Sequence, residues 1–328
     1  MDKILIPQPV ASVGVDFLQE KGYEIIYTDG EKKEALIEAI RECSAVWLGV
    51  PSIGREEMEA APGLKIIARQ GAGFNNVDIK AAEERGIWVT NAPDATTETV
   101  AEFTLGGILA LAKKMFLCCE RLKTGDFDFK NSNRGEDLKG KTLAVIGYGR
   151  IGREVAKKAY YGLNMKVLAY GPHLAAEETE DYVTAVSWEK AFQEADFVSL
   201  HMPLTETTRK CVGRREFQMM KTTAKLINCA RGAVVEEGEL IKALEKGEIG
   251  GLFTDVFTEE PPSSEHPFFH MDNVIASPHM ATSTEECRIK MSLHAVGQIH
   301  KVLSGERPDT PVNMIEIEDC QHEKAEKR

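Results

Sequence analysis

The run TLAVIGYGRIGREVAKKAYYG, residues 142–162, constrains this chain more than any other stretch. An apolar strand pattern enters a glycine-rich turn and a helical pattern leaves it. Gly147, Gly149 and Gly152 fall in the G-x-G-x-x-G spacing of a dinucleotide-binding unit. Gly147 permits the tight turn, Gly149 lets the backbone approach a pyrophosphate, and Gly152 lets helix and strand pack closely. The helix-start N–H groups, at Arg150 and Ile151, then face phosphate charge. A glycine turn with no ligand is the plainer alternative, and the flanking strand and helix are what favour the dinucleotide.

Strands alternate with helices along the rest of the chain. Short β-rich runs occur at KILI (3–6), YEIIY (23–27), AVWLG (45–49), KIIA (65–68) and GIWV (86–89), separated by helical stretches such as EKKEALIEAIREC. A second series follows at TLAVI (142–146), KVLAY (166–170), DFVSL (196–200), AKLINC (224–229), GLFTDV (251–256) and NVIAS (273–277). The pattern predicts an α/β protein with two parallel sheets. At 328 residues there is length for two domains, each burying its own core. Between the two series, residues 99–119 (TVAEFTLGGILALAKKMFLCC) are apolar around nearly the whole circumference of a helix, which must be covered on several sides, as an interdomain helix or a dimer contact. Thr282 to Leu303 reads as a long helix that carries the chain back towards the first domain, and the charged tail from Glu316 as solvated or disordered.

A formal net charge of −12 argues against a nucleic-acid partner, because phosphate backbones are held by clustered cations. No apolar run approaches the ~20 residues of a membrane helix, and the N-terminal apolar stretch is too short for a signal peptide, so the cytoplasm is the expected compartment. The seven cysteines (43, 118, 119, 211, 229, 287, 320) show no metal-ligand spacing, and neither a disulfide nor a metal site is expected.

At the end of the next strand, where an Asp or Glu usually accepts from the adenosine ribose of NAD and repels the extra phosphate of NADP, this chain has Gly171. Its neighbours Pro172, His173, Glu177 and Glu178 offer no strong phosphate clamp. NAD is the favoured cofactor, with NADP not excluded.

Three further strand ends carry polar groups: Arg231 in NCARG, Asp255 and Glu260 in DVFTEEP, and His279 in SPHMATS. All lie along the carboxyl edge where doubly wound sheets bind ligands. Singly, each is better read as a surface charge or a packed or exposed ring. Jointly they suit hydride transfer to a 2-oxo acid. A histidine, with an ordinary pKa of about 6.5, gives or takes the proton, and a carboxylate on its far nitrogen orients it. A guanidinium grips the substrate carboxylate and polarises the carbonyl. Asp255 is then a candidate acceptor for the nicotinamide amide.

The ordered set RQGAGFNNVDI, GYGRIG, HMPLTETT, NCARG, DVFTEEP and SPH, across about residues 1–315, resembles the D-isomer-specific 2-hydroxyacid dehydrogenases, particularly the branch containing D-3-phosphoglycerate dehydrogenase. The resemblance implies a Rossmann dinucleotide-binding domain (99–289) inserted in a flavodoxin-like substrate domain (1–98, completed by 290–316), a polar tail (317–328), and a homodimer joined through the nucleotide domains. It places the catalytic Arg, Glu and His on Arg231, Glu260 and His279. Substrate contacts fall on Ala72 and Gly73 together with Arg231 and His279. Beyond the glycine loop, Gly171 and Pro172, cofactor contacts fall on His201, Pro203, Cys229, Ala230, Arg231, Asp255, His279 and Ala281.

The chain also departs from the family pattern. Gly73-Phe74-Asn75-Asn76 stands where G-x-D-N is common, and the His motif continues as Met-Ala-Thr instead of a glycine-rich run. The absence of a Tyr after Asn91, the Glu at 260 and the Ala at 72 lower the D-lactate, formate and phosphite options respectively. Arg69 is similar to an arginine that holds phosphate in phosphoglycerate enzymes, but WLGVPS supplies no second basic residue. A regulatory domain, at least another ~50 residues, is not expected in this length. The alternative from another class is an NAD-sensing corepressor of the same fold.

Overall fold

The structure, a computed structural model, describes residues 1–28, 32–175, 177 and 179–315. The chain divides into two compact units, Met1–Thr96 joined by the segment from Thr284 onward, and Thr97–Ser283.

The first unit contains a five-stranded parallel sheet. Its strands are Lys3–Ile6 (β1), Glu24–Tyr27 (β2), Ala45–Leu48 (β3), Ile66–Arg69 (β4) and Trp88–Thr90 (β5), in the order β2-β1-β3-β4-β5. All five coincide with apolar runs in the sequence, because a parallel sheet is covered on both faces and its central strands stay apolar throughout. Every residue of β3 is buried, including Trp47, which contributes on the order of 2–3 kcal/mol by leaving water. The helix Glu285–Leu303 packs on the helix Ser12–Glu20 and on β3 and β4, so all of it belongs to this unit. The expected boundary near residue 290 therefore moves back to the cap of that helix, where the Thr284 side chain accepts from the Cys287 N–H. Asn313 closes the unit by accepting from the Val89 N–H and donating to the Ile87 carbonyl. The polar tail expected over 317–328 lies outside the described residues.

The second unit holds seven parallel strands: Thr142–Ile146 (β6), Lys166–Tyr170 (β7), Val183–Ala185 (β8), Phe197–Leu200 (β9), Lys225–Asn228 (β10), Gly251–Thr254 (β11) and Val274–Ala276 (β12). Their order is β12-β11-β10-β9-β6-β7-β8, so the direction of winding reverses beside β6, the strand that feeds the glycine loop. Ligands bind such sheets beyond the carboxyl ends at that point of reversal. The edge strand β8, three residues with one buried side chain, carried no apolar run to reveal it.

The apolar stretch 99–119 is not one helix. It forms Thr97–Ala112 and Met115–Lys123, broken at Lys114, whose φ of 52° is left-handed. The cause is an intruding segment: the Glu136 N–H bonds the Ala112 carbonyl at 2.8 Å, taking the acceptor a continuing helix would need. Thr97–Ala112 is covered by its own unit, against the helix Arg150–Leu163 and strands β10 and β11. Met115–Lys123 buries none of its residues. Among the described residues no helix is long and apolar enough to cross a membrane, and no group of three or more His, Cys, Asp or Glu is arranged to hold a metal.

Candidate active site

The glycine loop has the geometry its spacing demands. Gly147 has a φ of 98°, and a Cβ there would stand 2.7 Å from the backbone of His201 and Met202. A Cβ on Gly152 would stand 2.3 Å from the Gly147 carbonyl oxygen, so helix and strand meet only because it is absent. At Gly149 a Cβ would meet nothing within 4 Å, which leaves open space before the helix that begins at Arg150. That helix runs for 14 residues, long enough to present its N-terminal amides to an anion.

A cavity of about 860 Å³ opens there, lined among others by Gly147, Gly149, Gly171, Pro172, His201 and Pro203. Its size and partly apolar wall suit half of a dinucleotide. His201 binds Ser199 Oγ through Nε2 at 2.7 Å, and burial pushes its pKa down to about 4, so its ring is neutral at pH 7. Sequence reading missed two cations on this wall, Arg153 and Arg215, because they come from separate helices. Arg153 lies 4.5 Å over the Tyr148 ring and pairs with Glu180, to which the Tyr148 hydroxyl also donates. Arg215 pairs with Glu189 at 2.8 Å.

Beyond β10, Asn228 shapes the turn that presents Arg231. Its Oδ1 accepts from the Ala230 N–H, and its Nδ2 donates to the Arg231 carbonyl, both at 3.1 Å. Arg231 Nη1 donates to the Ala230 carbonyl at 2.6 Å. The next residue, Gly232, fixes what this turn packs against: a Cβ there would sit 2.0 Å from the Phe257 carbonyl carbon. Only glycine lets the Arg231 turn abut the segment that carries Glu260. Cys229 is half-buried, and burial pushes its thiol up to about 12.

Glu260 and His279 meet directly. Oε2 lies 2.7 Å from His279 Nδ1, while Oε1 accepts from the Phe257 N–H at 3.0 Å. Burial works to raise the Glu260 pKa, but the bonds from His279 and Phe257 and the positive charges of His279 and Arg231 together hold it below the ordinary carboxylate value. Burial draws the Arg231 pKa down, opposed by the charge of Glu260. The Glu260 carboxylate thus lies within electrostatic reach of both the Arg231 guanidinium and the His279 imidazole. His279 has a φ of 50°, unusual for a residue with a Cβ and held by its surroundings.

Asp255 supplies those surroundings, which corrects the expectation that it accepts from nicotinamide. It is 0% exposed, and both its oxygens are engaged from within. Oδ1 accepts from Ser277 Oγ at 2.7 Å and the Met280 N–H at 2.8 Å, and Oδ2 from the Ala281 N–H at 2.8 Å. It braces the loop on either side of His279. Ala281, expected among the cofactor contacts, donates its N–H inward to this carboxylate.

In the first unit, the loop after β4 is also braced. The Gly71 carbonyl accepts from the Ala92 N–H at 2.9 Å, and the Ala72 carbonyl from Asn91 Nδ2 at 2.7 Å, which fixes the backbone of Ala72 and Gly73. Arg69 donates through Nε to Asn76 and through Nη1 to the Gln70 carbonyl, while Asn76 Nδ2 reaches the Gly49 and Pro51 carbonyls. Arg69 therefore holds the stem of its own loop.

Comparison with known proteins identifies the family. Residues 105–281 match the family model described as the NAD binding domain of the D-isomer specific 2-hydroxyacid dehydrogenases. A D-3-phosphoglycerate dehydrogenase of Methanocaldococcus jannaschii is 39% identical over 97% of this chain, and the match takes in 60% of that longer protein. This chain thus spans about three fifths of that relative's length. A glyoxylate reductase of Thermococcus litoralis is 37% identical over 95% of this chain and 96% of its own. The crystal structure of an Aquifex aeolicus D-lactate dehydrogenase, complexed with NAD and lactic acid, superposes with a TM-score of 0.83 at 28% identity, covering 93% and 96% of the two chains. With the fold, the glycine loop and the matches in agreement, the chain belongs to the D-isomer specific 2-hydroxyacid dehydrogenase family.

Proposed function

We propose that this protein transfers a hydride between NAD and a short 2-oxo or D-2-hydroxy acid, and the observation that carries the reading is the 2.7 Å contact of Glu260 with His279 beside the charge of Arg231. The Thr97–Ser283 unit is read as the dinucleotide domain and the other as the substrate domain. The open space before Arg150 and the cavity beside Gly171 fit the pyrophosphate and adenosine of a dinucleotide. When bound, NAD supplies the hydride acceptor and NADH the donor.

The residues do the rest. Glu260 occupies Nδ1 of His279, which leaves Nε2 as the atom that hands a proton to the developing alkoxide in reduction, or removes it in oxidation. The ionised Glu260 stabilises the positive ring this requires. Arg231 binds the substrate carboxylate and draws charge onto the carbonyl oxygen. In the other unit, Asn91 and Ala92 fix the peptide groups that carry the Ala72 and Gly73 N–H groups, which the family resemblance makes candidate substrate contacts.

For the substrate, WLGVPS supplies no second basic residue to stand with Arg69, which supports glyoxylate or hydroxypyruvate over a phosphorylated acid. Relatives of this chain include a glyoxylate reductase and a hydroxypyruvate reductase. The test is turnover of glyoxylate, hydroxypyruvate, pyruvate and phosphohydroxypyruvate, each with NADH and with NADPH. The reading expects the highest kcat/KM for one of the first two with NADH. No oxidation of either cofactor with any of the four contradicts it.

A homodimer is part of the same reading. Met115, Phe116 and Leu122, on a helix that buries nothing, and nearby Phe127 are all more than half exposed. Apolar surface gathered in this way calls for a partner, and a second copy is the one proposed.

A further inference from the structure

A second histidine and glutamate pair lies behind the first. Glu237, the opening residue of the helix Glu237–Glu245, accepts the Thr258 N–H on Oε2 at 3.1 Å, two residues before Glu260. Its Oε1 lies 3.4 Å from His266 Nε2. His266 in turn accepts the Phe268 N–H on Nδ1 at 3.3 Å, which assigns the ring proton to Nε2, the nitrogen nearer Glu237. The His266 ring is almost enclosed, with Phe257 edge-on at 5.4 Å between centroids and Phe268 at 4.6 Å. The chain from Thr258 to His266 is thus held at both ends by one carboxylate.

That chain carries Glu260, whose own Oε1 is anchored to the Phe257 N–H. Phe257 is pressed from one side by Gly232 and from the other by His266. Neither Glu237 nor His266 belongs to the set of groups placed against substrate or cofactor above.

We propose that Glu237 and His266 are positioning residues for the acid–base pair, holding the Phe257–Glu260 turn so that Glu260 meets Nδ1 of His279. The proposal rests on the reading of Glu260 and His279 given above. Removal of Glu237 frees the Thr258 amide and the His266 ring, and the turn then wanders by a fraction of an ångström. Displacements of about 1 Å at a reacting group cost on the order of 10²-fold in rate, so a smaller one costs roughly 3- to 30-fold.

The test uses the full chain with NADH and its best 2-oxo acid. Glu237→Ala should lower kcat about tenfold while the Kd for NADH, read by protein fluorescence, stays within twofold. Glu237→Gln keeps an oxygen for the Thr258 N–H and should recover most of that loss, and His266→Phe, which keeps the ring packing, should fall between them. Hydrogen exchange of the peptide spanning residues 257–262 should quicken in the order Gln, Phe, Ala. Unchanged kcat in Glu237→Ala overturns the proposal, as does equal loss in the Ala and Gln variants or a loss carried by NADH affinity. His279→Ala, assayed beside them, separates the two levels: if it keeps full turnover, the acid–base reading itself fails, whatever Glu237 does.

Discussion

Asp255→Asn separates a brace from a cofactor contact. The wild-type carboxylate accepts three donors in a site closed to water. In the variant, the less costly amide orientation keeps Oδ1 on Ser277 and Met280 and turns Nδ2 towards the Ala281 N–H, donor against donor. One hydrogen bond to a charged group is lost, about 1.5–3 kcal/mol, and two buried donors are left unmatched. We expect a net destabilisation of about 3 kcal/mol, which for a unit the size of Thr97–Ser283 lowers Tm by roughly 6–12 °C. The loop around His279 loses its hold, and kcat should fall by on the order of 10²-fold. The assay pairs thermal unfolding with NADH titration. Affinity for NADH should stay within a few fold, because the carboxylate faces inward. A tenfold or greater loss of NADH affinity with Tm unmoved would refute the brace and restore the nicotinamide contact.

Other substitutions probe the remaining parts of the account. Gly171→Asp should lower kcat/KM with NADPH more than with NADH by placing a carboxylate beside the adenosine ribose; its Cβ would meet Leu174 at 3.3 Å, a contact a small shift relieves. Equal effects on both cofactors would show that the ribose lies elsewhere. Arg231→Lys keeps the charge but loses the fork and should reduce kcat/KM for the 2-oxo acid by roughly 10- to 100-fold, and parity with the parent would remove Arg231 from the substrate. Phe116→Asp, on the helix that buries nothing, should shift the mass in analytical ultracentrifugation towards that of one chain; an unshifted dimer would place the interface on another face.

Much of the fold was legible because parallel strands buried on both faces leave unbroken apolar runs, as AVWL and TLAVI do. β8 escaped because a three-residue edge strand carries one buried side chain. The break at Lys114 escaped as well, since no glycine or proline marks it and its cause, the Glu136 amide, lies far along the chain. Within the candidate site, the strands that precede Glu260 and His279 marked both residues, and the structure places the two side chains 2.7 Å apart. The job of Asp255 was not, because a buried carboxylate and one facing a ligand read alike in a sequence. Asn228 left a faint signal, a polar amide ending an apolar strand. Arg153 and Arg215 left none, since their convergence on one cavity depends on how two helices pack.

The most direct test of the central claim is kcat for the best 2-oxo acid in His279→Ala, measured together with NADH affinity. Loss of a positioned proton donor should lower kcat by about 10²- to 10⁴-fold while NADH binds as it does to the parent protein. A variant that reduces the oxo acid at the parental rate would contradict the account, however well the glycine loop holds its dinucleotide.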